Sequence, residues 1–351
     1  MDRYIGLDVH ASSCTAGIVD AHGKRVRQQV LETNGEALVE FVRAQPGAVH
    51  LCLEEGTQSA WLYEILRPHV AELVVTRSEH SAGPKDDARD AFALAERLRT
   101  NAVDTPVYKE LGPFAPLRAL VKAHRMVVGD TTRVQCRLKA LFRARGVAVA
   151  GKEVYRPRER VTWLAALPAS ARAAAELLYA EYDGLCTVRT QAEKALLAES
   201  HRHPCTRLLE TCPGLGGIRV AQLVAVVVTP TRFRTRQQFW SYCGLGIVMR
   251  SSADWAQDPA GQWVRTAVQR TRGLNRRHNA LLKSVFKGAA TTVVGQVREG
   301  PLYGDYQRLL TAGTKPNLAK LTVARKIAAI ALTMWKRQEV YKPGATCPPP
   351  V

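Results

Sequence analysis

RYIGLDVHASSCTAGIVD, residues 3–20, contains two apolar segments of strand length that are joined by a short polar turn. A further extended run, GKRVRQQVLET at 23–33, follows them. Apolar runs of this length between turn residues indicate β-strands. The stretch therefore predicts a meander of three strands at the start of the chain.

The rest of the first hundred residues alternates between helix-like and strand-like segments. Helical periodicity occurs in NGEALVEFVRAQ, SAWLYEILRPH and DARDAFALAERLR, and the apolar runs AVHLCLEEG and ELVVTR separate these helices. Such alternation is typical of an α/β layer fold.

The remaining chain is predicted to be mainly helical. A basic helical pattern covers 112–150, with an interruption around Gly129, and a similar apolar stripe covers roughly 160–200. These two segments are expected to form either an antiparallel bundle core or an oligomerisation element. Beyond them the pattern predicts helices in CPGLGGIRVAQLVAVV, NRRHNALLKSVFKGAA and NLAKLTVARKIAAIALTMWKRQEVY, a loop rich in Ser, Asp and Gly after FWSYCGLG, and an unstructured tail.

The positive charge is concentrated outside the first hundred residues. The formal net charge of +19 and the pI near 9.9 indicate a polyanionic partner. Residues 1–100 contain 11 Lys and Arg against 15 Asp and Glu, whereas the remainder contains 39 against 16. Because an acidic region repels phosphate unless cations intervene, this asymmetry separates a candidate metal-dependent catalytic region from a candidate nucleic-acid-holding body.

The sequence argues against a membrane protein and against a disulfide-rich protein. No segment offers the ~18 uninterrupted apolar residues of a membrane span, and the basic residues are not gathered on one amphipathic anchor. The opening MDRYIGLDVH lacks the pattern of a signal peptide, which predicts a cytoplasmic protein. The eight cysteines lack the close pairs of a zinc site, so we expect reduced thiols.

Four carboxylates are candidates for a metal site. Asp8 and Glu54 follow apolar strands, and Asp87 and Asp90 are three residues apart on one face of a predicted helix, with Asp86 on another. Each has an ordinary alternative, as a solvated loop entry or as an acid near a helix N-terminus. Together, however, they would repel one another unless Mg²⁺ or Mn²⁺ neutralised them. Their order along strand, strand and helix is the layout of a ribonuclease-H-like nuclease site.

Two further motifs suit contact with nucleic acid. The first is PGLGG, which contains Gly214, Gly216 and Gly217 and is followed by Arg219. A glycine-rich turn of this kind could expose backbone N–H groups to a phosphate, as in a helix-hairpin-helix. An ordinary helix-capping turn is the equal alternative. Lys85, which precedes the aspartates, and Arg89, which lies between Asp87 and Asp90, are additional candidates for phosphate contact.

A serine pair follows the apolar GLGIVM. Ser251 and Ser252 lie beside Arg250, and Arg276 and Arg277 are among the arginines downstream. A serine becomes a nucleophile only when neighbouring cations or metal ions stabilise the charge of the transition state. Taken alone, such a pair is usually a turn feature.

Six segments in this order resemble the insertion sequence 110 family of transposases, the bridge-RNA-guided recombinases with a DEDD metal site. The segments are YIGLDVH, LCLEEGTQSAWLYEIL, KDDARDAFALA, CPGLGGIRVAQLVAVV, FWSYCGLG and KLTVARKIAAIALTMWKRQEVY. By motif position, the resemblance makes Asp8, Glu54, Asp87 and Asp90 the metal-binding acids, with Glu55 the less favoured neighbour.

The same resemblance implies a serine nucleophile, which falls on Ser252, eight residues after Gly244; Ala253 stands where the family has glycine. It further implies a covalent protein–DNA intermediate, a structured non-coding guide RNA, donor and target DNA duplexes, and a dimer that assembles into a tetramer, in a nucleoid-associated prokaryotic setting. The rival interpretations are a metal-dependent nuclease or junction resolvase without a covalent intermediate, and a non-enzymatic nucleic-acid-binding protein.

The resulting prediction has three domains and a tail. A ribonuclease-H-like (RuvC-like) α/β catalytic domain spans 1–103, a basic helical coiled-coil stalk spans 104–203, and a mainly α-helical, serine-bearing transposase domain spans 204–342. Residues 343–351 are the expected disordered tail.

Overall fold

In a computed structural model of the chain, the described residues are 2–77, 86–103, 112–250, 255–265 and 270–343. They divide into two compact units, Met1–Gly112 and Pro113–Val351. The N-terminal unit is an α/β layer structure, and the second unit is mainly helical. Both agree with the expected classes of structure.

The first unit contains a five-stranded sheet in the order β3-β2-β1-β4-β5. Its strands are β1 (Asp2–Val9), β2 (Ser13–Asp20), β3 (Arg25–Glu32), β4 (Ala48–Glu54) and β5 (Glu72–Thr76). β1, β4 and β5 are parallel, whereas β2 pairs antiparallel with both β1 and β3. The predicted three-strand meander is thus confirmed.

Helices cover both faces of this sheet. They are α1 (Gly35–Arg43), α2 (Ser59–Leu66) and α3 (Asp87–Arg99). Ile5 of β1 and Leu51 of β4 pack with α1 and α2 in one core, and Cys52 packs with Leu94 and Leu98 of α3 in the other. Because alternate side chains of a strand point to opposite faces, neighbouring residues of β1 and β4 serve different cores.

The contact between α3 and the sheet is unusually close. A Cβ atom placed on Gly6 of β1 would lie 1.9 Å from the carbonyl oxygen of Ala91, and one placed on Gly17 of β2 would lie 2.8 Å from the backbone nitrogen of Phe92. Only glycine therefore allows the helix backbone to rest directly on these two strands.

Three helices begin the second unit: α4 (Ala115–Arg143), α5 (Arg160–Ala165) and α6 (Ala169–Ser200). α4 and α6 pack antiparallel, since His124 lies 3.4 Å from Glu193 while Arg137, further along α4, lies 3.5 Å from Glu181. The predicted interruption at Gly129 is wrong. A single glycine costs a helix only about 1 kcal/mol, and buried apolar side chains on both sides of this one keep α4 continuous.

The remaining helices enclose one apolar core. They are α7 (Pro204–Glu210), α8 (Gly217–Val227), α9 (Arg236–Tyr242), α10 (Ala280–Thr292), α11 (Gly300–Thr311) and α12 (Pro316–Arg337). The predicted helices at α8, α10 and α12 are confirmed. α11 was not predicted from the sequence, because Pro301 and Gly304 interrupt its pattern.

Short strands replace part of the predicted Ser-, Asp- and Gly-rich loop, so that prediction is wrong in part. β6 (Ile247–Arg250) pairs antiparallel with β9 (Arg270–Leu274), and β7 (Trp255–Gln257) with β8 (Trp263–Arg265). Three to five residues are too few for an alternating pattern to stand out. Within the described ranges, no helix is long and apolar enough to cross a membrane. Of the expected tail at 343–351, residues 344–351 lie outside the described residues.

Substituting Gly6 tests the contact between α3 and the sheet. We expect Gly6→Ala to destabilise the N-terminal unit by about 1–3 kcal/mol or more, because the added methyl group must displace the backbone of α3. Hydrogen exchange of peptides from β1 and α3 measures this local loss. Gly56→Ala is the control, since no atom lies within 4 Å of a Cβ placed there. Equal protection of β1 in wild type and Gly6→Ala would contradict the close packing.

Candidate functional site

The two strand carboxylates lie at the same edge of the sheet. β1 and β4 are parallel neighbours, and Leu7 pairs with Leu53. Asp8 and Glu54 are the residues that follow this pair, so adjacent strands deliver them to one place. Both side chains are half-buried.

α3 adds two carboxylates to this edge. Asp87 and Asp90 occupy its first turn, and the backbone contact at Gly6 fixes where that turn lies. The Nε2 atom of His10 is 3.4 Å from an oxygen of Asp8 and 3.4 Å from an oxygen of Asp87. The candidate ligand atoms of Asp8, His10 and Asp87 all lie within 4.8 Å of one another.

The environment of Asp8 opposes its negative charge. Burial raises the pKa of the Asp8 carboxyl, and the like charges of Asp87, Asp90 and Glu54 raise it further, whereas His10 lowers it. All four predicted acids therefore interact electrostatically at one site. The backbone N–H of the neighbouring Glu55 donates to the carbonyl of Thr76 on β5 at 2.7 Å.

His10 was not identified from the sequence as part of this group. Its position is fixed by the β1–β2 turn, where its backbone N–H donates to the Ser13 carbonyl and its own carbonyl accepts from the Thr33 hydroxyl. The signal that could have found it is the spacing Asp-x-His at the end of β1, which leaves both side chains on the same side of the strand.

Asp86 has a structural role. It is the N-cap of α3, and its carboxylate accepts hydrogen bonds from the backbone N–H groups of Ala88 and Arg89 at 3.1 and 3.4 Å. This agrees with its interpretation as a helix-start residue outside the metal site. The side chain of Arg89 is exposed, and Lys85 lies outside the described residues.

Packing explains much of the PGLGG turn. Gly214 has a φ of +79°, and a Cβ there would lie 2.4 Å from the carbonyl oxygen of Ala289; one on Gly217 would lie 2.6 Å from Leu197. Gly216 is the N-cap of α8 and has open space around it. Arg219 donates inward to the Gly214 carbonyl and the Thr292 hydroxyl, and burial lowers its pKa. Contact of this turn with a phosphate stays a prediction.

The segment that precedes the serine pair is firmly anchored. The Arg325 side chain donates to the Leu245 carbonyl at 2.7 Å, and the Trp240 indole donates to the Arg325 carbonyl at 2.9 Å. Gly244 has a φ of +67° and rests on the His278 ring. β6 then leads to Arg250, beyond which Ser251, Ser252 and Ala253 lie outside the described residues. Arg276 and Arg277, which follow β9, are exposed.

Two family models match the chain. Residues 5–144 match the model DEDD_Tnp_IS110, described as a transposase, and residues 206–306 match one described as the transposase IS116/IS110/IS902 family. Together the two matches span more than two thirds of the sequence.

Two proteins of Sinorhizobium fredii (strain NBRC 101917 / NGR234) are similar to this chain. "Putative transposase y4pF/y4sB" is 27% identical over 369 residues, which cover 96% of this chain and 85% of that protein. "Putative transposase y4uE" is 27% identical over 159 residues, or 38% of this chain and 43% of that protein. With both family models in the expected order, the chain belongs to the IS110 family of transposases.

Proposed function

We propose that the protein cuts and rejoins donor and target DNA with divalent cations, Mg²⁺ or Mn²⁺, held by Asp8, Glu54, Asp87 and Asp90. The observation that carries the proposal is the half-buried Asp8, whose pKa is raised by burial and by the charges of the other three carboxylates. Such a group of like charges is stable at neutral pH when a cation neutralises it.

The donor set fits these ions. Carboxylate oxygens are the ligands that Mg²⁺ and Mn²⁺ prefer, and the parallel strands and α3 supply them from three separate elements. When bound, the ions supply stabilisation of the attacking and leaving oxygens of a phosphoryl transfer. The sheet order β3-β2-β1-β4-β5 also supports the ribonuclease-H-like assignment of this domain.

His10 is proposed to orient the acids. Its imidazole bridges Asp8 and Asp87 and lowers the pKa of Asp8 against the effect of the carboxylates. Imidazole is a poorer ligand for Mg²⁺ than oxygen, so we assign His10 a positioning role rather than a place in the ligand set.

The proposed nucleophile is Ser252. Its hydroxyl gives up its proton as the oxygen forms a bond to a backbone phosphorus, the bond from that phosphorus to the 3′ oxygen breaks, and the 3′ oxygen takes up a proton. The product is a phosphoserine linkage to the 5′ side and a free 3′ hydroxyl. Among the described residues, the segment that leads to this serine is anchored at Gly244 and Leu245.

The proposal further includes a structured guide RNA, a dimer or tetramer, and a coiled-coil stalk. The excess of basic residues after residue 100 supports simultaneous contact with RNA and DNA backbones. The long antiparallel pair α4 and α6 supports a stalk between the catalytic and serine-bearing regions.

Removal of two metal ligands tests the cation site. We expect Asp87→Asn/Asp90→Asn to lower Mg²⁺-dependent donor–target joining at least about 100-fold, because metal stabilisation of the transition state is worth several kcal/mol. Mn²⁺ should raise the unfolding temperature of the wild type but not of the double variant. Glu54→Gln should behave like the double variant, and the matched Glu55→Gln like wild type. Unchanged joining in the double variant would refute the metal assignment.

Trapping of a covalent adduct tests the serine. With a nicked or suicide DNA substrate, wild type and Ser251→Ala should give a protein–DNA band that survives denaturation, and Ser252→Ala should give none. An adduct from Ser252→Ala but not from Ser251→Ala identifies the other serine. Metal-dependent cleavage without an adduct in any of the three proteins favours the hydrolytic nuclease, and binding without cleavage favours a non-enzymatic role.

A further inference from the structure

Arginines surround a surface cleft of about 490 Å³ in the second unit. Arg232, Arg234 and Arg277 line it, and all three side chains are exposed. No acidic residue is among the lining residues. Within the described part of the chain, none of these three guanidinium groups has a carboxylate within 4.0 Å, so no described acid neutralises the three positive charges of the cleft.

The guanidinium of Arg232 is held in place by the protein. Its Nη1 donates to the carbonyls of Val226 and Val227 at 3.3 and 3.1 Å. Its Cζ lies 5.5 Å from the centre of the Tyr242 ring and 5.7 Å from that of Phe233. These contacts fix the charge at the cleft wall. Phe233 is buried, and Tyr242 packs against both the Phe233 ring and the Arg232 guanidinium, so neither ring stands out as a stacking platform for a base.

The backbone that carries Arg234 is also fixed. Its N–H donates to the side-chain oxygen of Gln238 at 2.8 Å, as part of the capping of α9. The ammonium group of Lys336 donates to the carbonyl of the preceding residue, Phe233, at 2.5 Å. The loop is therefore held from two sides, and Lys336 adds a further positive charge nearby.

Asn275, which also lines the cleft, holds the backbone of Arg277. Its side-chain nitrogen donates to the Ser241 hydroxyl at 3.0 Å, and its side-chain oxygen accepts from the backbone N–H of Arg277 at 3.0 Å. Ser241 and Tyr242, two further lining residues, are half-buried. The cleft is thus lined by two hydroxyl-bearing side chains and three arginines, a combination that suits the oxygens of a phosphate.

We propose that this cleft binds the sugar-phosphate backbone of a nucleic acid strand. Arg234 and Arg277 contact successive phosphates, and Arg232 adds a fixed charge at the wall. Because Phe233 is buried and Tyr242 packs against Phe233 and Arg232, the cleft contacts the backbone and not the bases. The inference rests on the proposed function for the source of its ligand, but the charge and geometry that carry it do not involve the metal site.

Salt-dependent binding tests the cleft. Arg234→Gln/Arg277→Gln and wild type are titrated against a labelled DNA duplex, a single-stranded DNA and a single-stranded RNA of several unrelated sequences, by fluorescence anisotropy. For the strand type that the cleft binds, we expect the double variant to bind at least about tenfold more weakly. The slope of log K against log salt should become shallower by about two, since two phosphate contacts are lost. Both losses should be equal for all sequences of that strand type.

The matched control is Arg145→Gln/Arg207→Gln, which removes two exposed arginines of the same unit that do not line the cleft. It should bind within about twofold of wild type. Unchanged affinity and slope for all three probes in the Arg234→Gln/Arg277→Gln protein, or an equal loss in the control, overturns the proposal. If the cleft variant fails to bind while wild type shows no metal-dependent cleavage, the cleft stands and the proposed function falls; the reverse pair of results rejects the cleft alone.

Discussion

The direct contact of α3 with the backbone of β1 and β2 is the constraint on which the candidate metal site depends. Gly6 and Gly17 leave no space between strand and helix, and Ala91 is fully buried between them. A rigid contact of this kind fixes the height of the first helical turn above the sheet edge. Asp87 and Asp90 therefore lie near Asp8 because the next turn of α3 packs against the sheet. Attraction among the acids themselves plays no part.

The acids are held together against their own repulsion. The pKa of Asp8 is raised by burial and by three neighbouring carboxylates, so in the absence of a cation the ionised site costs stability. His10 offsets part of this cost through its contacts with Asp8 and Asp87. The repulsion among the carboxylates destabilises the fold, and a bound cation would remove that repulsion. This is typical of a metal-dependent site rather than of a structural ion pair.

Much of this unit could be predicted from the sequence, because its strands and helices are long enough to show their periods. The four acids could be placed as well, since the ends of neighbouring parallel strands lie at one edge. His10 could not, because its role depends on the β1–β2 turn. In the second unit, local patterns could not predict that α4 continues through Gly129 or that strands β6–β9 form. Both depend on packing between residues that are far apart in the sequence. The arginine cleft joins residues about 45 positions apart, and no spacing rule connects them.

The acidic centre and the arginine cleft have different proposed roles. An acidic centre repels the phosphate on which it acts, and residues 1–100 carry more acidic than basic side chains. The free energy needed to bring a phosphodiester to such a centre must then come from contacts made elsewhere. Arginines such as Arg232 and Arg277 are suited to supply it, because no carboxylate of the described residues pairs with them and a phosphate can act as their counterion. In the proposed function, binding by the arginine cleft and chemistry at the acidic centre are thus physically separable, because the two sets of residues belong to different compact units.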